Sequence, residues 1–338
     1  MSIDTARGSV TIEEVAAAAG VSRSTVSRVV NGSTAVSPSA LEAVRRAISE
    51  LSYVPNRAAR SLASRQTHAI ALVVPEDTTR FFGDPFFAAI VAGINARIGR
   101  SDYVLNLFIA SDDPGDKTTA YVRSGSIDGA IIVSHHTSDT FIDRIAASVP
   151  VVYGGRPVRD RAEAYYVDVD NVQGGRDATT HLISHGRRRI ATISGPVDMP
   201  AGVDRLQGWR EALTLAGLPE GPVEDGDFTA DGGAAAMERM LARGGELPDG
   251  IFIASDLMAR GALSVLAAAG VRVPHDVSIV GFDDSPVAVS VTPALTTLRQ
   301  PSRDQGEHMA DVLLELLAGR EPQRVTILDT ELVERDSV

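Results

Sequence analysis

The chain has 338 residues, of which 44% are hydrophobic and 22% are charged. This length and composition are typical of a globular protein with two or three domains and a large buried core. No apolar stretch reaches the ~18 residues of a membrane span, and the N-terminus has no apolar segment of signal-peptide length, so we expect a cytosolic protein. Without cysteine, the chain has no disulfides, Cys-ligated zinc, iron–sulfur clusters or thiol nucleophiles.

The charge is distributed unevenly along the sequence. Residues 1–68 contain eight arginines and five acidic residues, a net charge of +3, whereas residues 69–338 carry −15, which gives the total of −12. This asymmetry predicts a basic head and an acidic body with different partners. Lys117, the only lysine, follows Asp116, which excludes a Gly-Lys-Ser/Thr phosphate loop and leaves one candidate for Schiff-base chemistry.

The basic head contains three short helical patterns. Thr11 and Glu14 have the spacing of a capping box at the start of the first helix, which is predicted to end at Gly20. Ser22 is placed to cap the second helix, and the Ser37-Pro38 pair is typical of the start of a third. Three short helices around one small core, with two arginines on the polar face of the second, are typical of a helix-turn-helix unit.

The head resembles that of the lactose-repressor family. The resemblance lies in the runs TIEEVA (residues 11–16), AGVS (19–22), TVSRVVN (25–31) and YVPN (53–56). It implies that Arg23, Ser24 and Arg28 read base edges in operator DNA, whereas the residues alone leave open a merely solvated arginine face. Further operator contacts, mostly to phosphates, are implied for Thr11, Ser22, Thr25, Ser27, Asn31, Tyr53, Asn56, Arg57 and Ala59.

Residues 56–64 form a separate short segment between the head and the body. Their composition favours a helix, but the segment is shorter than the ~12 to 15 residues that an isolated helix needs. The family resemblance implies a hinge helix that folds on the operator, with Leu62 wedged between base pairs from the minor groove. The alternative is a plain interdomain linker with Leu62 on the surface of the body.

From Ala69 onwards, short apolar runs alternate with amphipathic segments. Most of the runs are rich in β-branched residues and are followed by a turn and a helix, which predicts parallel sheets with crossover helices. The predicted strands are residues 70–74, 104–108, 129–133, 149–153, 190–194, 250–254 and 277–282.

We therefore predict an α/β fold with three parts. A helix-turn-helix head at residues 1–54 precedes a hinge and linker at 55–68 and a two-lobed body with parallel sheets at 69–338. The family resemblance implies that this body is similar to periplasmic binding proteins. The expected lobes are residues 69–164 with 294–322, and residues 165–293 with 323–338.

Polar and aromatic residues follow many of the predicted strands, for example the pairs Gly155-Arg156 and Asp283-Asp284. Ligands of open α/β sheets bind beyond the carboxyl ends of the strands, so these residues are expected near a ligand. Carboxylates, guanidiniums and aromatic rings suit a sugar, because hydroxyls need polar partners and the C–H faces pack on rings. Several phenylalanines of the run at 81–87 are alternatively core residues.

The body continues the family resemblance. The runs GP (195–196), DR (204–205), ASD (254–256), VGFDD (280–284) and TTLRQ (296–300) are similar to the effector-binding core that the family shares with periplasmic sugar-binding proteins. Carried over, Arg205 and Asp283 are the strongest expected effector contacts. The other expected contacts are Phe81, Phe82, Asp84, Phe86, His136, Arg156, Asp198, Phe228, Ser255 and Gln300. Ser255 departs from the pattern, because many members have asparagine there.

The phenylalanine-rich run at 81–87 and the segment around Asp198 most resemble actinobacterial repressors of β-glucoside or cellobiose use. The resemblance thus implies palindromic operator DNA and a small sugar effector, such as a cellobiose-like disaccharide, as partners. It also implies a homodimer, because residues 332–338 lack the heptad repeat of a tetramerising helix.

Signals of other functions are weak. His181 and His185 lack the glutamate of a zinc-protease motif, and no dinucleotide-binding glycine pattern follows a predicted strand. We therefore expect a regulator without catalytic residues, cofactor, metal site or membrane association. The alternative is a stand-alone sugar-binding protein, which would have no use for an arginine-bearing head.

Overall fold

The computed structural model describes residues 10–30, 35–53, 66–111, 113–159 and 162–338. The chain divides into two compact units, residues 1–68 and residues 69–338, which we call the head and the body. This division coincides with the change from basic to acidic sequence. The two units are therefore described separately.

The described residues of the head form three helices, α1 Ile12–Ala19, α2 Arg23–Val30 and α3 Pro38–Leu51. The Thr11 hydroxyl accepts a hydrogen bond from the Glu14 N–H at 3.3 Å, and the Glu14 carboxylate accepts one from the Thr11 N–H at 2.7 Å. The predicted capping box is therefore present and fixes the start of α1. The helices enclose one small core, formed by Val15, Ala16, Val26, Val44, Ala47 and Tyr53.

The described residues of the body form two six-stranded sheets. The first contains β1 Ala69–Val74, β2 Val104–Ile109, β3 Gly129–Val133, β4 Val151–Gly154, β5 Tyr165–Val169 and β11 Val325–Leu328. The second contains β6 Ile190–Ser194, β7 Val223–Asp225, β8 Gly250–Ile253, β9 Ser278–Asp283, β10 Thr296–Arg299 and β12 Glu331–Val333. Their spatial orders are β11-β5-β4-β3-β1-β2 and β12-β10-β9-β8-β6-β7.

Parallel pairing dominates both sheets, and only β10 with β12 is antiparallel among the described strands. Every residue of β1, β3, β6 and β8 is buried, which explains why these strands are near-continuous apolar runs in the sequence.

Helices cover the faces of both sheets. The described α-helices of the body are α4 Thr78–Gly83, α5 Pro85–Ile98, α6 Lys117–Tyr121, α7 Phe141–Ala146, α8 Asn171–Ser184, α9 Pro200–Leu215, α10 Ala230–Ala242, α11 Asp256–Ala268 and α12 Ser302–Leu317. A π-helical segment, Val122–Ser126, follows α6. The most extensive helix pairs are α8 with α9, α5 with α12, and α10 with α11. We call the first sheet with its helices lobe 1 and the second lobe 2.

The structure differs from the expected lobe boundaries at three strands. Strand β5 pairs with β4, and β11 pairs with β5, so both belong to lobe 1 rather than to the second half. Strand β10 pairs with β9 and belongs to lobe 2, before α12 returns to lobe 1 against α5. Buried strands of the two sheets have the same pattern of apolar residues, so the sequence does not show which sheet a strand joins. Long-range pairing decides that.

Close contact between α8 and α9 depends on glycine. A Cβ atom on Gly208 would lie 2.0 Å from the backbone oxygen of Val172, closer than any real contact. We therefore expect Gly208→Ala to lower the melting temperature of the body by several degrees, corresponding to about 1–3 kcal/mol of overpacking. Gly83→Ala is the matched control, because its Cβ would meet nothing within 4 Å. Equal melting temperatures in circular dichroism for both variants would contradict this packing.

Candidate functional site

A cavity lies in the body between lobe 1 and lobe 2, beyond the carboxyl ends of strands from both sheets. It encloses about 90 Å³, and we call it the cleft cavity. Its position is the one that open parallel sheets favour for ligands. Its lining residues are Arg80, Asp84, Phe86, Phe87, Ser134, Gly154, Gly155, Asp168, Asn171, Met199, Ala201, Arg205, Phe228, Ser255, Asp283, Gln300 and Gln305.

Arg205 on α9 is the centre of the lobe 2 wall and is almost completely buried. Its guanidinium donates hydrogen bonds to Asn171 Oδ1 at 2.9 Å, to the Ala254 carbonyl oxygen at 2.6 Å and to Gln300 Oε1 at 2.6 Å. One terminal nitrogen lies 3.6 Å from Asp283 Oδ1. Burial lowers the pKa of Arg205, and the surrounding carboxylates, Asp283 first, oppose that shift.

The Arg205 guanidinium also lies against two aromatic rings. Its central carbon lies 3.5 Å from the ring centroid of Phe282 and 5.5 Å from that of Phe228. Stacking of this kind favours a planar cation with delocalised charge. The side chain is therefore fixed before any ligand arrives.

Buried carboxylates surround this cation. Burial raises the pKa of Asp283 well above its ordinary value, although the charge of Arg205 opposes that shift. Behind it, Asp256 accepts hydrogen bonds from the Ser285 N–H at 2.8 Å and the Thr297 hydroxyl at 2.6 Å, and burial raises its pKa to about 7. In lobe 1, burial raises the pKa of Asp168 to about 6. These groups hold the wall together and place acceptors for ligand hydroxyls beside a cation.

Seven of the twelve expected effector residues line the cleft cavity, namely Asp84, Phe86, Arg205, Phe228, Ser255, Asp283 and Gln300. Ser255 also caps α11, because its hydroxyl accepts a hydrogen bond from the Met258 N–H at 3.2 Å. The hydroxyl hydrogen of Ser255 is not needed for that contact, so the side chain keeps one donor for a ligand.

The other five expected residues do not line the cavity. Phe81 is buried in the core of lobe 1 against Phe87, and Phe82 is 76% exposed. His136, Arg156 and Asp198 form contacts between the lobes instead. His136 Nδ1 lies 3.0 Å from Asp198 Oδ2, and Arg156 donates a hydrogen bond to Asp204 at 2.8 Å.

The cavity also contains residues that are not among the twelve expected effector contacts. Ser134 and the Gly154-Gly155 pair directly follow predicted strands, where ligands of open α/β sheets are expected. Asp168 and Asn171 flank the end of β5, a strand that the pattern did not reveal. The remaining additions are Arg80, Phe87, Met199, Ala201 and Gln305.

Gln305, on α12, has an unusual position in the cavity wall. Its Nε2 donates a hydrogen bond to the Val167 carbonyl oxygen at 2.9 Å. Because a carbonyl oxygen only accepts, this contact identifies the orientation of the side-chain amide. Its Oε1 is buried and has no hydrogen-bond partner in the described part of the chain. An unpaired buried acceptor is costly, so this atom is suited to a hydroxyl donated by a ligand.

The head presents the expected polar face. Thr11, Ser22, Arg23, Ser24 and Arg28 are exposed, and Thr25 and Ser27 are half-buried. Ser22 caps α2 by accepting a hydrogen bond from the Thr25 N–H at 3.2 Å, and Arg23 lies 3.1 Å from Glu13. Tyr53 instead packs in the core of the head. Asn31, Asn56, Arg57, Ala59 and Leu62 lie outside the described residues.

Neither a metal-binding cluster nor a membrane-spanning helix occurs in the described ranges. No group of three or more histidine and acidic side chains could hold a metal ion there. None of the helices in these ranges is long and apolar enough to cross a bilayer.

Comparisons with protein families match both units. Residues 11–56 match the model for bacterial regulatory proteins of the lacI family, and residues 179–338 match a periplasmic binding protein-like domain. The HTH-type transcriptional regulator CelR of Thermobifida fusca is 47% identical over 97% of this chain and 98% of the relative. The ribose operon repressor of Escherichia coli K12 is 33% identical over 97% of this chain and 99% of the relative.

Solved structures agree. A transcriptional regulator CelR-cellobiose complex covers 97% of this chain and 100% of its own, with a TM-score of 0.78 and 45% identity. The lac repressor dimer bound to operator and the anti-inducer ONPF covers 98% and 99%, with a TM-score of 0.85 and 28% identity. These matches confirm the predicted α/β fold with a helix-turn-helix head and a two-lobed body. The chain therefore belongs to the lacI family of bacterial regulatory proteins and is a DNA-binding transcriptional regulator.

Proposed function

We propose that this regulator is a homodimeric repressor of sugar-utilisation genes, controlled by a β-linked glucose disaccharide of the cellobiose type in the cleft cavity. The buried Arg205 network carries the proposal, because it fits a polyhydroxylated ligand. Similarity over nearly the whole chain to CelR and to a CelR-cellobiose complex supports the choice of sugar.

The chemistry of the cavity suits a neutral sugar. Asp84, Asp168 and Asp283 offer carboxyl groups, and Ser134 and Ser255 offer hydroxyls, around one buried guanidinium. Sugar hydroxyls both donate and accept hydrogen bonds, so they match such a mixed set. The rings of Phe86 and Phe228 provide apolar faces for the C–H surface of a pyranose. Gln305 Oε1 adds one acceptor that a ligand hydroxyl would satisfy.

The choice of a disaccharide rests on the similarity to the CelR-cellobiose complex and not on the size of the cavity. As the lobes lie here, the cleft cavity encloses about 90 Å³, less than the roughly 300–1,000 Å³ typical of sites for small molecules, so the lobes must part to admit a sugar. Glucose and ribose are the competing effectors.

Ligand contacts from both lobes provide the control mechanism. Arg205 and Phe228 belong to lobe 2, whereas Asp84, Asp168 and Gln305 belong to lobe 1. A sugar that touches both lobes binds one relative arrangement of the lobes better than others and shifts the population towards it. In a regulator, that shift changes operator affinity, and operator binding must change sugar affinity by the same factor.

The head supplies operator recognition in this proposal. Arg23, Ser24 and Arg28 on the exposed face of α2 are proposed to read base edges, and the other expected polar residues are proposed to hold phosphates. Two heads related by a two-fold axis would read a palindromic operator. Leu62 is proposed to act as a wedge in the minor groove.

We also propose that the protein acts in the cytoplasm and catalyses no reaction. Its relatives are named as transcriptional regulators and repressors, which act on chromosomal DNA. The Arg205 network places hydrogen-bonding groups around a ligand and supplies no nucleophile activated by a neighbouring base.

A sugar panel tests the proposed effector. Isothermal titration of the full chain with cellobiose should give a dissociation constant at least about tenfold lower than that for glucose or ribose, because a second ring adds contacts that a monosaccharide does not make. Tightest binding of ribose, or no binding of any of the three sugars, would contradict the assignment.

Arg205→Ala tests the cavity itself. The variant should still bind operator in a gel-shift titration, but the cellobiose concentration for half-maximal response should rise by about 100-fold or more, since a charged hydrogen-bonding group is lost. Arg210→Ala, on the exposed side of the same helix, is the matched control and should respond like the wild type. A response of Arg205→Ala at the wild-type concentration would exclude the cleft cavity as the effector site.

Arg28→Ala tests the DNA-reading face. We expect operator affinity to fall by about tenfold to 100-fold, the value of one good base contact. Arg45→Ala removes the same charge from α3 and should cost much less. Binding to unrelated DNA should weaken similarly in the two variants, because it depends on charge alone. Equal operator affinities of the two variants would contradict base reading by Arg28.

A further inference from the structure

A buried carboxylate that does not line the cleft cavity lies at the centre of an ion-pair network. Glu76 follows β1 in lobe 1, and its side chain is only 8% exposed. Its Oε1 accepts a hydrogen bond from the Ser134 hydroxyl at 2.5 Å and lies 3.0 Å from Arg80 Nε and 3.2 Å from His136 Nε2. One lobe 1 carboxylate therefore orients both an imidazole and a guanidinium.

Both of these side chains also contact residues of lobe 2. The other ring nitrogen of His136 lies 3.0 Å from the carboxylate of Asp198, in the segment after β6. The Thr137 N–H donates to the Asp198 carbonyl oxygen at 3.2 Å, beside this contact. Arg80 donates a hydrogen bond to the Asp227 carbonyl oxygen, after β7, at 2.5 Å. Glu76 thus supports two contacts that cross the cleft.

We propose that Glu76, His136 and Asp198 form an interlobe latch that stabilises the closed body and thereby sets effector affinity without touching the effector. None of the three lines the cleft cavity. They are positioning residues, which act through the relative arrangement of the lobes. If only the closed body binds sugar tightly, the measured affinity falls in proportion to the closed fraction.

The latch also makes the closed body sensitive to protons. His136 faces two carboxylates, so its protonated form makes two ion pairs and its neutral form makes none. Burial by itself lowers the pKa of His136, but the hydrogen bonds and charges of Glu76 and Asp198 outweigh that effect and raise it. The other titratable or charged groups around it are Arg80, His135, Asp139, Asp143, Arg156 and Arg159.

The direction of the pH effect follows from the raised pKa. The closed body binds the proton on His136 more tightly than the open body, so protonation favours closure at low pH. This contribution is lost as the pH rises through the pKa of His136 in the closed body. The Arg80 contact persists, because a guanidinium stays charged, so the latch is weakened rather than removed.

The first test needs no effector and does not depend on the proposed function. The chain has no cysteine, so Ser138→Cys in lobe 1 and Asp231→Cys in lobe 2 allow two spin labels to be attached selectively. Electron–electron distances are measured on the full chain, mixed with excess unlabelled chain so that only distances within one chain count. The short-distance population should be larger at pH 6 than at pH 8.5, and His136→Gln should remove that difference.

The second test measures cellobiose affinity, and it rests on the proposed function. At pH 6, His136→Gln and Asp198→Asn should each weaken cellobiose binding by about threefold to tenfold, and the difference from the wild type should largely vanish at pH 8.5. Comparison with the wild type is essential, because Asp168 and Asp256 also titrate in this range. His308→Gln, an exposed histidine that contacts its own helix, is the control and should retain the wild-type profile.

The outcomes separate the two proposals. Failure of cellobiose to bind the wild type overturns the proposed effector, and the spin-label distances still decide the latch. If the spin-label distances of the wild type and of His136→Gln change with pH in the same way, the latch is overturned. A ratio of dissociation constants that is identical at pH 6 and pH 8.5 overturns the role of His136 protonation, because a purely structural role would give the same ratio at both.

Discussion

A buried guanidinium needs its charge balanced and its N–H groups paired, and this need organises the body around Arg205. Three hydrogen bonds and one ion pair meet part of it, from separate parts of the chain: Asn171 begins α8, Ala254 follows β8, Asp283 ends β9, and Gln300 follows β10. These segments meet only when the second sheet is complete. The cost of an unpaired buried charge therefore ties the shape of the ligand wall to correct folding of lobe 2.

Lobe 1 contributes to the cleft in a different way. It contacts lobe 2 through side chains that are partly exposed, and solvent weakens such contacts. The contacts are His136 with Asp198, Arg80 with Asp227, and Arg156 with Asp204. Contacts of this strength suit a boundary that opens and closes. Lobe 2 thus provides a rigid polar wall for the ligand, and the weaker contacts of lobe 1 can break and re-form. This combination allows a sugar to shift the body between two arrangements of the lobes.

The sequence predicts features that depend on neighbouring residues. Examples are the capping box of Thr11 and Glu14, the buried strands, and the positions of Arg205 and Asp283 in the cavity. Each of these is indicated by residues that lie close together in the chain. The prediction fails where the answer depends on distant pairing: β5, β10 and β11 join the lobes opposite to those expected, and Asp168 in β5 and Asn171 just after it are missed. Periodicity also could not distinguish exposed Phe82 from Phe86 in the cavity, or show that His136 reaches Asp198.

The central claim is that the cleft cavity and the DNA-reading head are energetically coupled through one chain. The most direct test compares two dissociation constants of cellobiose. One is measured on the free protein and the other on the protein saturated with operator DNA, at the same salt concentration and pH. Coupling requires the two values to differ by the same factor by which saturating cellobiose changes operator affinity. We expect such a matched change, whereas identical cellobiose affinities in the free and operator-bound protein would contradict the coupling.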